Sequence, residues 1–474
     1  MPKNTCTRIL ATIGPATASD KKIAELIDAG VDAFRFNFSH GTHKEHKQRL
    51  SVVRKLAKQK GRYIAIVADM QGPKLRVGEF KEGKVMLEAG QQFVLDMKNE
   101  PGTKERVTLP HKEIFAAIKV GDDLLLNDGN IVLTIKSKTA NSAVTTVKVG
   151  GELSSRKGVN LPNIKLPISA ITEKDRDDLK FALKQGVDWV CLSFVQSVKD
   201  VKEARELIGD KAMIISKLEK PSAIEELEEI IHLSDAIMVA RGDLGVECPL
   251  QTVPILQKKI VNACRKFARP VIVATQMLES MIEKPTPTRA EVSDVATAVY
   301  DGCDAVMLSA ETAVGKYPVE AVKMMSKIIT QVESDPQFFK NIRKDQEVSC
   351  CIGEEDSIAY AANEISKVLK KVSAVVTYTT SGKTTFLIAR ERPNIPIIAL
   401  TLDEKVACKL ALVWGARPYV KKAHFSSFAK FEDNAVQAAL ESGLVHHGEH
   451  IIITGGFPLG VKGRTNILHT VYIG

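Results

Sequence analysis

The sequence has 474 residues, of which 44% are hydrophobic and 26% charged, and it carries a formal net charge of +9. This length predicts two to four domains, and the composition is typical of a soluble globular protein. No basic stripe is interleaved with aromatic residues, and no window approaches the roughly 18 apolar residues that span a bilayer, so we expect neither a nucleic acid nor a membrane as partner.

The cysteines and the N-terminal segment indicate the cellular compartment. The eight cysteines form no C-x-x-C pair, which predicts free thiols in a reducing compartment and not a disulfide framework or a zinc site. The N-terminal MPKNTCTRILATIGPAT has neither the long apolar stretch nor the small-residue cleavage site of a secretory signal. We therefore expect a cytoplasmic protein.

Short apolar runs recur along the chain and end in polar residues, and in the clearest copies a glycine precedes the run. The runs are 8–15, 29–40, 63–72, 185–196, 212–220, 236–243, 270–277 and 301–312. Stretches with helical periodicity lie between most of them. Eight strand–helix units predict an α/β protein with a TIM (β/α)8 barrel, formed by residues 1–72 and 166–343, whose function lies at the C-terminal ends of the strands.

Residues 73–165 break this rhythm, because they contain no good amphipathic helix of any length and have the pattern of short strands and turns. One hairpin is predicted at 124–135, around Asp128 and Gly129. We therefore predict an inserted all-β domain, called here the lid domain, in a barrel loop at the active mouth.

Residues 344–474 again alternate helix and strand, which predicts a separate, open α/β domain with a regulatory role. Within it, TYTTSGKTT (377–385) follows a strand and precedes a helix, an arrangement that favours phosphate binding. It is not a P-loop, because Thr377 stands where that motif needs its first glycine. The alternative is a loop whose Ser and Thr side chains only cap the following helix.

In IISKLEK (214–220), strand alternation places Lys217 and Glu219 on the same side of the chain. Lone buried charges would neutralise, so these two need partners or a metal. Glu219 and Asp243, at the ends of adjacent strands, suit Mg²⁺, while Lys217 and Arg35 suit a phosphoryl group. A purely structural salt-bridge network is the alternative.

Several motifs in order resemble the pyruvate kinase family, and the similarity runs essentially from residue 7 to the C-terminus. They include FRFNFSHG (34–41), DMQGPKLRVG (69–78), KGVNLP (157–162), MVARGDLGVE (238–247), ATQMLESM (274–281) and MLSAETAVGKYPVEAV (307–322). The resemblance implies a phosphotransferase of the class with an alcohol (enol) group as acceptor. It would move the phosphoryl group of phosphoenolpyruvate to ADP, with Mg²⁺ or Mn²⁺, as a homotetramer in glycolysis.

The resemblance also implies a role for each matching position. Lys217 is similar to the lysine that stabilises the transferred phosphoryl group, and Arg35 to the arginine that grips the substrate phosphate; Glu219 and Asp243 resemble the metal ligands. The remaining implied contacts are Gly242, Asp243 and Thr275 for the substrate, Asn37, Arg76 and Lys157 for the nucleotide, and Thr379, Ser381, Lys383 and Thr384 for a phosphorylated allosteric effector, with 455–466 as the effector pocket's second loop.

One motif departs from the commonest family pattern. Potassium-dependent members resemble D-T-x-G-P-E, with a monovalent-cation site at positions matching Asn37, Ser39 and Asp69, whereas this chain has Met70 and Lys74 in place of Thr and Glu. An ammonium at position 74 could take over the electrostatic role of the cation. We therefore expect activity that does not require K⁺, with an ordinary surface lysine as the alternative.

Two other functions would use a similar barrel. A phosphoenolpyruvate lyase or mutase would share the Mg²⁺-enolate chemistry, but it needs no nucleotide lid, so the insertion with Arg76 and Lys157 argues against it. A catalytically inactive paralogue that binds metabolites would be expected to have lost Lys217 or Glu219, and both are present.

Overall fold

The structure is a computed structural model that describes residues 5–162, 164–344, 353–421, 427–458 and 464–474. Strands and α-helices are numbered along the whole chain. Eight parallel strands close into a barrel in the order β1-β16-β15-β14-β13-β12-β3-β2. They are β1 Arg8–Thr12, β2 Ala33–Asn37, β3 Ala65–Asp69, β12 Trp189–Leu192, β13 Met213–Leu218, β14 Ala236–Ala240, β15 Val271–Ala274 and β16 Ala305–Leu308. The predicted (β/α)8 barrel and all eight of its strands are confirmed.

Helices surround the barrel and bury their apolar faces against the strands. They are α1 Asp20–Ala29, α2 His43–Gln59, α4 Glu173–Lys184, α5 Val198–Ile208, α6 Pro221–Glu225, α7 Leu227–Leu233, α8 Arg241–Glu247, α9 Val253–Lys266, α10 Arg289–Tyr300, α11 Ala310–Ala313, α12 Pro318–Glu333 and α13 Phe338–Lys344. The glycines of the repeated pattern act as expected: Gly30, Gly186 and Gly302 have φ of 112°, 72° and 92°, a left-handed conformation that ends a helix and turns the chain toward the next strand.

The lid domain is built from a six-stranded sheet and a two-stranded sheet. Its elements are β4 Lys84–Leu87, β5 Gln92–Asp96, β6 Arg106–Thr108, α3 Lys112–Ala117, β7 Asp123–Leu126, β8 Ile131–Lys138, β9 Ser142–Val149, β10 Gly151–Ser154 and β11 Val159–Asn160. The predicted hairpin is β7–β8, with Asp128 and Gly129 at positive φ in its turn. The predicted all-β domain is confirmed, and its short helix, the six-residue α3, buries Ile114 and Phe115; fewer than two turns are too short for a periodic signal in the sequence.

The C-terminal domain is an open sheet in the order β19-β18-β17-β20-β21, parallel except for its last strand. Its elements are α14 Glu354–Val368, β17 Val372–Tyr378, α15 Lys383–Arg390, β18 Ile397–Thr401, α16 Glu404–Leu410, β19 Ala416–Val420, α17 Phe428–Glu441, β20 Glu449–Gly455 and β21 Ile467–Ile473. The predicted open α/β domain is confirmed. The predicted boundaries at residues 72, 165 and 343 stay predictions.

The C-terminal domain packs on the end of the barrel where the strands begin. Buried Arg392 pairs with Asp304, which precedes β16, and Trp189 at the start of β12 donates to the carbonyl of Lys409. The guanidinium of Arg8 donates to the carbonyl of Val413. The opposite rim, where the strands end, is therefore left to face the lid domain.

The helices and the cysteines can be compared with the predictions made from composition. In the described part of the chain, none of the helices has the length and apolar character needed to cross a membrane. Six cysteines of that part are free thiols, namely Cys6, Cys191, Cys248, Cys264, Cys303 and Cys408.

Candidate active site

Lys217 lies at the centre of a charged cluster at the C-terminal ends of three adjacent barrel strands. Its Nζ is 2.9 Å from Oε1 of Glu219 and 3.6 Å from Oδ1 of Asp69, and it donates to Oγ of Ser193 at 2.8 Å. Asp69 ends β3, Ser193 follows β12 and Lys217 lies in β13, and these strands are neighbours in the barrel. Strand alternation does bring Lys217 and Glu219 to the same side, as the sequence predicted.

Arg35 completes the cluster from β2. Its Nε contacts Oδ2 of Asp69 at 2.5 Å, and its Nη1 donates to Oγ1 of Thr12 at 3.1 Å. Burial by itself would raise the pKa of Asp69, but Lys217 and Arg35 outweigh burial and hold that pKa below its ordinary 3.8. Burial would lower the pKa of Lys217, but Asp69 and Glu219 raise it above its ordinary 10.5. Both groups are thus held in their charged forms.

Glu219 has the character expected of a metal ligand. It is fully buried, and burial, with a contribution from Asp243, raises its pKa to about 6 against the opposing effect of Lys217. Oε2 accepts the backbone N–H of Phe194 at 2.7 Å, whereas Oε1 has no hydrogen bond of acceptable geometry although Lys217 lies beside it. A buried carboxylate oxygen left in this state fits a divalent cation as its missing partner.

The number of carboxylates also suits Mg²⁺ or Mn²⁺. The two carboxylates at the candidate metal site are Glu219 and Asp243, and within the described residues no group of three or more His, Cys, Asp or Glu side chains is arranged to hold a metal. Mg²⁺ typically keeps several waters and binds one or two carboxylates together with substrate phosphates. The residues present therefore fit such an ion.

Asp243 lies in the first turn of α8 and not at the end of a strand as predicted, because the helix begins immediately after β14. The N–H of the neighbouring Gly242 donates to Oγ1 of Thr275 at 2.7 Å. That hydroxyl donates in turn to the carbonyl of Ala274 at 2.6 Å. The structure therefore brings Gly242, Asp243 and Thr275 together at the ends of β14 and β15.

The backbone at Thr275 is strained. Thr275 and Gln276 have φ of 69° and 55°, a left-handed region that residues with a Cβ seldom adopt and that a β-branched residue avoids most. Such strain persists only where the surrounding structure enforces it, and it concentrates at functional sites. Among the residues predicted for substrate contact, Thr275 carries this independent sign of function.

A cleft lies between the barrel and the lid domain, and it is lined in part by Phe194, whose N–H donates to Glu219. Its empty space is about 510 Å³, a figure that includes the part open to solvent. It is lined on the barrel side by Lys220 and Asp243 and on the lid side by Lys74, Gly158 and Asn160, together with apolar side chains. The cleft therefore meets the predicted metal site at Asp243.

The predicted nucleotide contacts on the lid domain lie together where the chain enters and leaves it. Arg76 and Gly158 form an antiparallel bridge, and Val77 N–H donates to the carbonyl of Lys157 at 3.0 Å. Arg76 is half-buried and its Nη1 donates to the carbonyl of Arg156 at 2.7 Å. The third predicted contact, Asn37, is the last residue of β2 in the barrel.

The predicted monovalent-cation residues Asn37, Ser39 and Asp69 lie at or just after the ends of β2 and β3, whereas Lys74 lies at the cleft. Asn37 is paired with Asp69 in the β2–β3 register, and its Oδ1 accepts the N–H of Ser39 at 3.0 Å. Met70 is buried, and Lys74 is exposed at the cleft. Asp69 already has two cationic neighbours, Arg35 and Lys217, so its charge is balanced without Lys74.

Of the predicted effector residues, Thr379 and Ser381 lie between β17 and α15, and Lys383 and Thr384 are the first two residues of α15. Thr379 Oγ1 accepts the N–H of Gly382 at 2.7 Å, and the hydroxyls of Thr384 and Thr465 are 2.8 Å apart, so both threonines have internal partners. Lys383 is exposed and its Nζ lies 2.5 Å from Oε2 of Glu355. Ser381 is also exposed. Of the second predicted loop, residues 459–463 lie outside the described part of the chain.

Sequence reasoning gave no functional role to Ser193, Lys220, Glu247 or Asn160. Ser193 ends an apolar run, which was a usable signal, and its hydroxyl fixes the Lys217 ammonium. Lys220 pairs with Glu247 in a second buried ion pair, and Asn160 of the lid domain donates to the same carboxylate. The only sequence signal for this ion pair is that Lys220 directly follows Glu219 and that Glu247 lies four residues after Asp243.

Comparisons with known proteins give one consistent result. A family-wide sequence profile described as "Pyruvate kinase, barrel domain" matches residues 4–322, and one described as "Pyruvate kinase, alpha/beta domain" matches residues 356–471. A protein of Agrobacterium vitis named pyruvate kinase is 46% identical over 98% of both chains. One of Methylorubrum extorquens with the same name is 44% identical over 100% of this chain and 98% of its own.

A solved structure agrees with these sequence relatives. A crystal structure described as a pyruvate kinase from Cryptosporidium parvum has a TM-score of 0.92 and 33% sequence identity, and the match covers 99% of this chain and 96% of the other. The agreement therefore extends over the barrel, the lid domain and the C-terminal domain.

Proposed function

The chain belongs to the pyruvate kinase family, and on that premise we propose that it transfers the phosphoryl group of phosphoenolpyruvate to ADP, giving pyruvate and ATP in the last step of glycolysis. One observation carries the proposal. The Lys217 ammonium lies between two buried carboxylates at the mouth of the barrel, beside a cleft closed on its other side by the lid domain. In the reverse direction the enol oxygen of pyruvate is the acceptor.

The phosphoryl group needs positioning and charge neutralisation more than covalent chemistry. Arg35 and Lys217 supply two cations whose positions are fixed by Asp69 and by the hydroxyls of Thr12 and Ser193, so they need not reorganise during transfer. A divalent ion held by Glu219 and Asp243, Mg²⁺ or Mn²⁺, would neutralise charge on the phosphoryl oxygens.

Thr275 and Gly242 serve the other end of the substrate in this proposal. The enolate released by phosphoryl transfer takes a proton at carbon, and ketonisation makes the step toward ATP favourable. The Thr275 hydroxyl is held by the Gly242 N–H and the Ala274 carbonyl, so it can orient the water that delivers the proton.

The nucleotide enters the cleft from the lid side. Arg76 and Lys157 lie on paired segments of the lid domain and Asn37 ends β2 in the barrel, and in this proposal their polar groups hold the phosphates of ADP. We further propose that activity does not require K⁺, with Lys74 supplying the positive charge when the cleft is occupied. The two cations already beside Asp69, Arg35 and Lys217, support independence from K⁺; the role of Lys74 rests on its place in the family motif.

Three family properties complete the proposal. A phosphorylated effector would bind at Thr379, Ser381, Lys383 and Thr384, of which Ser381 and Lys383 are exposed. The protein would be a cytoplasmic homotetramer, which the mass by size-exclusion chromatography with light scattering would test.

The activity is tested by following pyruvate from phosphoenolpyruvate with the purified chain. We expect pyruvate and ATP in equal amounts, dependent on both ADP and Mg²⁺ and abolished by a chelator. Pyruvate and inorganic phosphate formed at the same rate without ADP would mean that water accepts the phosphoryl group, and this hydrolysis would overturn the proposal. A complete absence of turnover under all metal conditions would overturn it as well.

A further inference from the structure

A second buried ion pair lies directly behind the proposed metal ligands. Lys220 Nζ donates to Oε1 of Glu247 at 2.7 Å, and both residues are less than a tenth exposed. Lys220 follows Glu219 in the chain, and Glu247 lies one helical turn beyond Asp243 on α8. The pair thus joins the two segments that carry the metal ligands.

The lid domain contacts this pair. Nδ2 of Asn160, in β11, donates to Oε1 of Glu247 at 2.8 Å, so one buried oxygen accepts from both the barrel lysine and the lid amide. The β7–β8 turn also approaches the same helix, since a Cβ at Gly129 would lie 3.6 Å from Cγ1 of Val246. The lid domain therefore rests on α8 at two points.

The contact at Asn160 fixes a nearby lysine. Asn160 is paired with Leu125 of β7, so β11 is held within the lid sheet, and Lys157 lies three residues earlier on the same segment. Three extended residues span about 10 Å, which leaves Lys157 little freedom once Asn160 is held. A hydrogen bond from an amide to an ionised carboxylate is stronger than one between neutral groups.

We propose that Asn160 is a positioning residue for the nucleotide, because its hydrogen bond to Glu247 sets the lid domain on α8 and thereby holds Lys157 over the cleft. The inference rests on the proposed function in that the nucleotide is taken to be ADP. Because the contact lies on the lid side, it acts on the binding of ADP and not on phosphoenolpyruvate, which meets Arg35 and Lys217 in the barrel.

The test compares Asn160→Ala and Asn160→Asp with the wild-type chain. Asn141→Ala is the matched control, because Asn141 is an exposed asparagine in a lid turn that takes no part in the cleft. We expect Asn160→Ala to raise KM for ADP at least about fivefold with kcat and KM for phosphoenolpyruvate changed less than about twofold. Asn160→Asp should raise KM for ADP further, since this substitution places a second carboxylate against Glu247.

Deuterium uptake by residues 157–162 of the substrate-free chain gives a readout independent of turnover. It should be faster in Asn160→Ala than in Asn141→Ala. KM for ADP within about twofold of wild type in both Asn160 variants, or an equal rise in KM for both substrates, would overturn the inference. If the wild type itself forms no pyruvate, the proposed function fails instead, and unchanged deuterium uptake would still refute the docking contact.

Discussion

Replacing Lys217 by Met removes one positive charge and keeps a side chain of similar length. The five ionisable groups of the site are two cations, Arg35 and Lys217, and three carboxylates, so their formal charge changes from −1 to −2. The variant therefore keeps its attraction for a divalent cation but loses the cation that touches Glu219 at 2.9 Å and Asp69 at 3.6 Å.

The expected loss is in the chemical step. Removing one preorganised charge stabiliser typically costs about 10²–10³ in kcat, or roughly 3–4 kcal/mol of transition-state stabilisation. Arg35 still grips the substrate phosphate through its own fixed position, so KM for phosphoenolpyruvate should rise much less than kcat falls. Mn²⁺ binding without substrate should be unchanged or tighter.

The assay is pyruvate formation with saturating ADP and Mg²⁺, alongside Mn²⁺ titration of the same preparations. Lys60→Met is the matched control, because Lys60 pairs with Asp28 on the outer surface of the barrel, and it should keep kcat within about twofold. A kcat for Lys217→Met within about tenfold of wild type, at equal metal occupancy, would refute the role assigned to this residue.

The remaining predictions concern Lys74 and Glu219. Lys74→Glu should create stimulation by K⁺ that the wild type lacks, measured as initial rate in potassium against sodium salts; strong stimulation of the wild type would refute the proposal. Burial raises the pKa of Glu219 from 4.5 to about 6, so the protonated carboxyl group stabilises the metal-free fold. This stabilisation is at most about 2 kcal/mol, and it is lost as the pH rises from 4.5 through 6. The thermal midpoint of the metal-free wild type should therefore fall relative to Glu219→Gln as the pH rises from about 5 to 7. Thermal midpoints that change with pH by the same amount in the two proteins would contradict this prediction.

The barrel and its charged rim could be predicted because the signals are local. An apolar run such as residues 301–312, with a glycine before it and polar residues after it, is a complete strand with its two ends marked. Parallel strands in a barrel share one functional rim, so the residues that follow the strands meet without further information. This is why Arg35, Lys217 and Glu219 could be grouped from the sequence.

What escaped prediction depends on packing between distant segments or on weak edge signals. The hydrogen bond from Asn160 to Glu247 joins residues 87 apart, and it exists only for one placement of the lid domain. In the C-terminal domain, β19 contains Pro418 and β21 is a half-exposed antiparallel edge, so neither has the continuous apolar run of a buried strand. Asp243 was predicted at a strand end, but it lies in α8, because that helix begins at Arg241 immediately after β14.

The central claim is that Glu219 and Asp243, on neighbouring barrel segments, hold one divalent ion beside Lys217. Electron paramagnetic resonance titration with Mn²⁺ measures this directly in the wild type, Glu219→Gln and Asp243→Asn. We predict one site per wild-type chain, weakened at least about tenfold by either substitution. Wild-type affinity in either variant would contradict the account.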